Sequence, residues 1–281
     1  MLRAARTHWG EVELALTTGP GHATTLARGA SADLARVIAV GGDGTVHEVA
    51  NGLLSRGTGA LPALGVVPVG TGNDFAKMTY TARLAPARAI AALAAGVTRR
   101  FDVGQVWGEY FVNSIGVGLD ADVARRVNQY KHWPGAVGYV VAALQAIVHR
   151  RALRLHIEVD GQAWSGPTTV LEIGIGPCAG GVFYLVPDAR PDDGLLDVCA
   201  VGPFGLRFLL TGAPRVLSGK HTGLKEVRMA QGSRVRVTSA DGPLTAHLDG
   251  ELRSPGRNVL EASLHPGALP VLVAAPGGTP A

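Results

Sequence analysis

The chain has 281 residues, 47% of them hydrophobic and 17% charged, which excludes a disordered polar chain and fits a globular protein of one large core or two domains. Its net charge of +4 suits an anionic surface or phosphate-bearing substrates, and equally a neutral partner, so charge alone selects no class. The longest apolar run, residues 136–148, is interrupted by Gly138 and Gln145 and falls short of the roughly 20 residues that span a bilayer.

Taken in chain order, the basic start is followed by no uninterrupted apolar segment, which predicts no signal peptide. Residues 12–17 read as a strand and 22–32 as a helix. Residues 36–40 form a short β-branched run ending at glycines, the pattern of a buried strand. Residues 45–54 put Val46, Val49, Ala50, Leu53 and Leu54 on one helical face. A second buried strand, 64–69, again ends at a glycine loop, and 86–95 is an alanine-rich helix. This alternation predicts an α/β, doubly wound parallel sheet, in which ligands bind beyond the carboxyl ends of the strands. Both glycine loops lie there.

From about residue 101 the texture changes. Short extended segments at 154–159, 168–175, 195–201, 234–239 and 244–248 are separated by Gly, Pro and Asp turns, which predicts a mainly antiparallel β domain with a helical insert at 121–149. Residues 269–274 return as a strand on the first domain. The division expected is 1–101, with a returning strand near 268–276, and 102–266. Cys178 and Cys199 sit in apolar surroundings without metal-ligand spacing and read as reduced core thiols.

Two segments carry chemistry. In the first, a strand ends in Gly41, Gly42, Asp43 and Gly44, and Thr45 opens a helix. Glycines allow close backbone approach to a phosphate, and the helix start offers free N–H groups and a positive dipole end. Thr45 and Glu48 also fit a capping box, a reading that needs neither the glycines nor Asp43. In the second, a strand ends in Gly70, Thr71, Gly72, Asn73 and Asp74, ahead of Phe75 and Lys77; its bland alternative is an Asn-Asp turn. Two such loops at successive strand ends, each with an acid and a hydroxyl, point to one nucleotide-phosphate site. Read by residue type alone, Pro191 to Gly194 is a type I turn and Asp249-Gly250-Glu251 a hairpin tip.

The run from Gly41 to Leu53, containing Gly-Gly-Asp-Gly-Thr, resembles the signature of the diacylglycerol kinase catalytic domain family, which includes bacterial lipid kinases and sphingosine kinases. The Gly70-Thr-Gly-Asn-Asp74 loop is similar to that family's second loop. Further similarities follow in order: Thr17 with Gly21 to Ala23, Phe101 to Gly104, Asn113 to Asp120, Pro187 to Asp197, and Asp249 to Glu251. The resemblance covers nearly the whole chain and implies a phosphofructokinase/NAD kinase-like first domain. It implies ATP bound by Thr17, Gly41, Gly42, Asp43, Gly44, Thr45, Val46, His47, Glu48, Gly70, Thr71, Asn73 and Asp74. It implies Glu251 as the proton acceptor with Asp249 and Asp43 in the catalytic group. Mg2+ would be held by the Asp193 carboxylate and the main-chain carbonyls of Arg190 and Leu195, with Asp43, Asp74 and Asp102 extending the acidic network. The reaction implied is transfer of the ATP γ-phosphate to a lipid hydroxyl, of diacylglycerol or a related lipid. The expected setting is cytoplasmic and peripheral to the membrane, with no nucleic acid; a homodimer stays open.

The lipid side is less defined. Residues 133–148 are apolar and are followed by His149, Arg150, Arg151 and Arg154, which read either as an amphipathic element beside an acyl-chain cleft or as a core helix with a basic end. The family's opening strand and Asn-Pro loop have no counterpart ahead of Thr17; if that strand is internal in the sheet, its loss leaves two neighbouring rows of N–H and C=O groups unpaired. Two other readings stand beside the lipid kinase: an NAD kinase-like small-molecule kinase, and a catalytically weak lipid-binding protein.

Overall fold

The computed structural model describes residues 1–57, 59–80, 84–127, 130 and 137–275. Helices α1 (Leu2–Trp9) and α2 (His22–Gly29) precede β1 (Arg36–Gly41), α3 (Asp43–Leu54), β2 (Ala63–Pro68), α4 (Ala76–Thr79) and α5 (Pro86–Ala94). Strand β3 (Val97–Val106), β4 (Glu109–Phe111) and β5 (Ser114–Gly118) lead to α6 (Leu119–Val127) and α7 (Val137–Val148). Then come β6 (Leu153–Val159), β7 (Gln162–Thr168), β8 (Val170–Gly174), β9 (Leu196–Val201), α8 (Leu206–Thr211) and α9 (Ala213–Val216). The chain closes with β10 (Val227–Gly232), β11 (Arg234–Ser239), β12 (Ala246–Leu248), β13 (Glu251–Arg253) and β14 (Val259–Val273).

Sequence pattern explains most of these elements. Helix α3 buries Val46, Val49, Ala50 and Leu53 on one face, the helical spacing read from the sequence. Helix α5 starts at Pro86, where the missing N–H leaves no partner unpaired, and buries Ala89, Ile90 and Leu93. Strand β2 is a continuous apolar run, buried along nearly its length. Each fully buried Leu or Val in such positions stabilises the fold by about 1.5–3 kcal/mol before entropy is counted.

Strands β1 and β2 pair in parallel, and Val271 of β14 pairs in parallel with Leu64 of β2. The last run therefore returns to the leading half, as its sequence predicts. One sheet runs in the order β1-β2-β14-β11-β6-β7, with β3 pairing β14 and β4; a second runs β10-β9-β8-β5-β12-β13. Strand β14 serves both halves: its first part pairs antiparallel with β11, and its last part with β3, across a register shift between His265 and Leu269. The two sheets enclose a sandwich core that includes Phe111, Ile115, Ile157, Leu171, Ile173, Val237 and Leu260. A separate core under the α/β half includes Val46, Leu53, Leu64, Phe75 and Phe101.

Three expectations need correction. Residues 12–17 form no strand: Leu14 and Leu16 are exposed, and no sheet ladder takes them. Side-chain alternation is present there, but β1 is an edge strand whose outer side has no partner among the described residues. The helix beginning at Thr45 starts two residues earlier, at Asp43, with Gly42 as its cap. Thr45 and Glu48 consequently make no capping box. The 121–149 insert is two helices, α6 and α7; residues 128–129 and 131–136, including Trp133, lie outside the described residues. At the end of α7, Arg150 donates to the carbonyls of Ile147 (2.6 Å) and Phe204 (3.0 Å) and packs over the Phe204 ring at 5.0 Å, so its charge serves the helix end. No helix among the described residues is long and apolar enough to cross a membrane.

Candidate active site

Parallel pairing brings the ends of β1 and β2 level, with Gly41 opposite Pro68, so both glycine turns emerge side by side. They touch. A methyl group on Gly70 would stand 2.5 Å from the Gly42 Cα, and one on Gly42 3.2 Å from the Gly70 Cα. Asn73, at φ 51°, closes the second turn: its Oδ1 accepts the Gly70 N–H (3.0 Å) and its Nδ2 donates to the Gly70 carbonyl (2.6 Å). Asp43 then joins the turns, its Oδ1 accepting the Phe75 N–H at 3.1 Å. Burial and the nearby Asp74 charge push the Asp43 carboxyl up to about 6, with Asp249 adding to the effect and the Phe75 N–H opposing it.

Asp74 is itself buried. It accepts the Gly181 N–H at 3.0 Å on each oxygen and the Lys77 ammonium at 2.6 Å. Lys77 also donates to the Gly181 carbonyl (2.6 Å) and lies 3.0 Å from the Cys178 sulfur. Burial holds the Cys178 thiol up at about 12, so it stays neutral and Asp74 is the anion that Lys77 serves. Both cysteines are free and buried, as their apolar setting predicts.

The trailing half supplies the opposite wall. Strands β12 and β13 form a hairpin whose Leu248 faces Glu251. The two residues between them, Asp249 at φ 49° and Gly250 at φ 89°, make the type I′ turn that Asp-Gly favours. The turn is anchored: Asp249 accepts N–H groups from Val112 (3.0 Å), Asn113 (2.8 Å) and Ser114 (3.0 Å), and its own N–H donates to the Ser114 carbonyl (2.8 Å). The next residue, Glu251, is exposed, and its Oε1 lies 2.9 Å from where a Gly44 Cβ would stand. The carboxylate thus rests on the first turn of α3, and a side chain at position 44 would displace it from there.

Beneath this contact His47 donates from Nδ1 to Asp249 (2.8 Å) and from Nε2 to Glu109 (2.8 Å). Burial alone would lower the ring's pKa, but the two carboxylates outweigh it and hold His47 at about 9, an imidazolium at neutral pH. Glu109 also pairs with Arg253 of β13, Nε to Oε2 at 2.7 Å. Burial opposes its ionisation, yet the His47 and Arg253 hydrogen bonds bring it down to about 2. Asn51, one turn along α3, donates to the Tyr110 carbonyl (2.9 Å) and accepts its N–H (2.9 Å), fixing β4 in place.

The remaining predicted residues occupy varied places. Thr17 is exposed, in the coil before α2. Glu48 caps α2 instead of its own helix, accepting N–H groups from Gly21 (2.8 Å) and Ala23 (3.0 Å). Val46 lies in the core, Thr45 packs over Gly41, and Thr71 is exposed at the second turn. Asp102, buried in β3, braces the acidic turn: its N–H donates to the Pro191 carbonyl (2.7 Å) and its Oδ2 accepts the Gly194 N–H (2.8 Å). In that turn Arg190 and Asp193 are exposed, Leu195 is half-buried, and Asp193 accepts the Leu195 N–H at 3.1 Å. Asp197 nearby has a buried oxygen without a partner, and burial, with Asp193 and Asp188 adding, pushes it up to about 6. Oxygen donors around an under-compensated acid suit a hard cation such as Mg2+. Sequence reasoning missed Glu109, Arg253 and Asn51; Asp-Gly at a hairpin tip was a signal for the turn, but nothing local marks the partners that hold it.

Comparison with known proteins gives a consistent result. The family described as "Diacylglycerol kinase catalytic domain" matches residues 2–106, and "YegS C-terminal NAD kinase beta sandwich-like domain" matches residues 113–273. A diacylglycerol kinase of Bacillus subtilis (strain 168) is 32% identical over 237 residues, covering 84% of this chain and 77% of that protein. A YegS-like lipid kinase of Pseudomonas aeruginosa (strain PAO1) is 35% identical over 252 residues, covering 89% of this chain and 80% of that one. In fold, the chain is similar to a diacylglycerol kinase structure from Bacillus anthracis, with TM-score 0.81 and 21% identity over 97% of this chain and 89% of that chain. It is also similar to an Archaeoglobus fulgidus NAD kinase in complex with ATP, with TM-score 0.53 and 13% identity over 98% and 88% of the two chains.

Proposed function

The chain belongs to the diacylglycerol kinase family of phosphotransferases, and from that premise we propose that it is an ATP- and Mg2+-dependent kinase that phosphorylates the hydroxyl of diacylglycerol or a related lipid. The observation that carries this reading is the seating of Glu251 against Gly44, where the hairpin of the trailing half meets the amino end of α3 and the two touching glycine turns. Phosphoryl transfer passes through a loose transition state, so the protein's work is to position reactants and neutralise charge. The first turn of α3 and the glycine turns offer N–H groups and a positive dipole end to the nucleotide phosphates. In this reading Glu251 takes the proton of the lipid hydroxyl, while Asp249, tied to three N–H groups and His47, holds the turn that carries it.

Mg2+ would be held through Asp193 and the carbonyls of Arg190 and Leu195, supplying positive charge to the phosphates; the buried, partnerless oxygen of Asp197 supports a cation in that neighbourhood. Asp43, half-buried in the first glycine turn, and the buried Asp74 in the second repel each other, and a bound cation would relieve that repulsion. We divide the chain into a nucleotide half, 1–101 with 268–276, and a lipid half, 102–266, and place it in the cytoplasm in peripheral contact with a lipid surface. The test is incubation with γ-labelled ATP, Mg2+ and a mixed lipid extract. Label entering the organic phase, and lost on chelation, is the expected result; label in NAD, or retained lipid binding without transfer, would overturn it.

A further inference from the structure

The hairpin that carries Glu251 is held from a second side by groups outside the site described above. Asp120, in the first turn of α6, faces His247 of β12, with the His247 Nε2 2.5 Å from Asp120 Oδ2. On its other side the ring turns Nδ1 toward the Gly250 N–H, at 3.2 Å. That N–H belongs to the central peptide of the Asp249–Gly250 turn. Its orientation is what separates a type I′ from a type II′ turn, since the two differ by a flip of this peptide. A donor pointing at Nδ1 requires a lone pair there. The Nε2 nitrogen must then bear the proton, and Asp120 is the acceptor that keeps it there.

We propose that Asp120 and His247 are a positioning pair: Asp120 fixes the proton on Nε2, Nδ1 accepts the Gly250 N–H, and the locked turn presents Glu251 to the face of Gly44. The proposal rests on the reading of Glu251 as proton acceptor. Glu172 completes the arrangement. It is fully buried, and burial together with the Asp120 charge raises its pKa, so beside it Asp120 is the carboxylate that stays ionised; neither Glu172 oxygen has a hydrogen-bond partner among the described residues. Asp120 also draws His247 toward its charged form, against the effect of burial. The hydrogen-bond geometry decides for the neutral ring, because an imidazolium would set one N–H against another at Gly250. The same geometry speaks against a metal, although Asp120, Glu172 and His247 bring one ligand atom each within 4.8 Å. A metal at Nε2 would move the proton to Nδ1, again facing the Gly250 N–H.

The direct test is long-range 1H–15N NMR on the full chain with 15N-labelled histidine, the His247 ring being assigned through its own backbone. The expected pattern is a neutral ring protonated at Nε2. A ring protonated at Nδ1, an imidazolium, or a metal-shifted Nε2 with an equivalent of bound metal would each overturn the pairing. Kinetics supply the second arm. In Asp120→Asn the amide presents a donor to Nε2 and drives the proton to Nδ1; lipid phosphorylation should fall at least about tenfold in kcat with KM for ATP unchanged. Combined with Glu251→Gln, the same change should add no further loss, because it acts through Glu251. Losses that multiply in full would sink the proposal. Normal turnover by Glu251→Gln alone would instead remove the reading of Glu251, and the ring pattern would still report separately on the pair.

Discussion

Asp43 is held where ionisation is unfavourable. Its folded value, about 6, lies above its ordinary 3.8, so the native state binds a proton more tightly than the unfolded chain does. Stability therefore falls as pH rises from about 4 to about 6, and stays lowered above that. At about 1.4 kcal/mol per unit, the burden is at most about 3 kcal/mol. Asn in its place can still accept the Phe75 N–H, so Asp43→Asn should gain about 1–3 kcal/mol in urea unfolding at pH 8 and almost nothing at pH 4, while kinase turnover falls. An equal gain at both pH values would show that the carboxylate is under no such burden. Glu251 is the opposite case, an exposed acid whose loss should leave the fold intact. Glu251→Gln should lower turnover about 10²-fold with an unchanged melting temperature. Asp43 could be picked out of the sequence because it stands among glycines at a strand end, whereas Glu251 was reached only through the resemblance, its residue types alone reading as a hairpin tip. His47 could not be read as a cation, since its charge depends on Glu109 and Asp249, which are remote in sequence and near only after folding.

At the scale of elements, the contact between the two glycine turns is the most demanding feature. A Gly70→Ala methyl group would meet backbone, the Gly42 Cα at 2.5 Å, and no side-chain rotation can relieve that. The variant should lose about 1–3 kcal/mol of stability and raise KM for ATP, as the first turn is pushed off its position. Gly166→Ala, with nothing within 4 Å of its methyl group, is the control and should be near neutral. If Gly70→Ala bound ATP normally, the turns would not act as one surface. Elements with strong local patterns were legible in advance: β1, β2, α3, α5 and β11 all fall within two residues of the expected spans. Failures have physical causes. Residues 12–17 alternate like a strand but have no ladder partner. Strand β3 hides its first half behind exposed Arg99 and Arg100, and β14 is broken in sequence by Pro266 and Gly267, where its register shifts.

For the whole molecule, the question is what keeps the α/β half facing the β half. Residue types alone read the glycine loops as one nucleotide-phosphate site but left the Asp249 turn as a hairpin tip; the resemblance suggested that they meet, and the structure supplies the bond between them. His47 comes from α3 of the leading half, Asp249 and Arg253 from the hairpin of the trailing half, with Glu109 beside them. His47 titrates at about 9 when folded against 6.5 ordinarily, so its contribution is fully present below about pH 6.5 and is lost as pH rises through 9. The lowered value of Glu109 records part of the same interaction and is not added to it. Because Glu109 is only half-buried, about 1–2 kcal/mol is a fair size for the effect after solvent screening. Urea unfolding should therefore show the native chain losing that much between pH 6.5 and 9.5 beyond any loss in His47→Gln, whose side chain carries no proton to give up. Parallel curves for the two proteins would mean that the halves are joined by their shared strand β14 and its packing, with the buried ion bridge contributing nothing measurable.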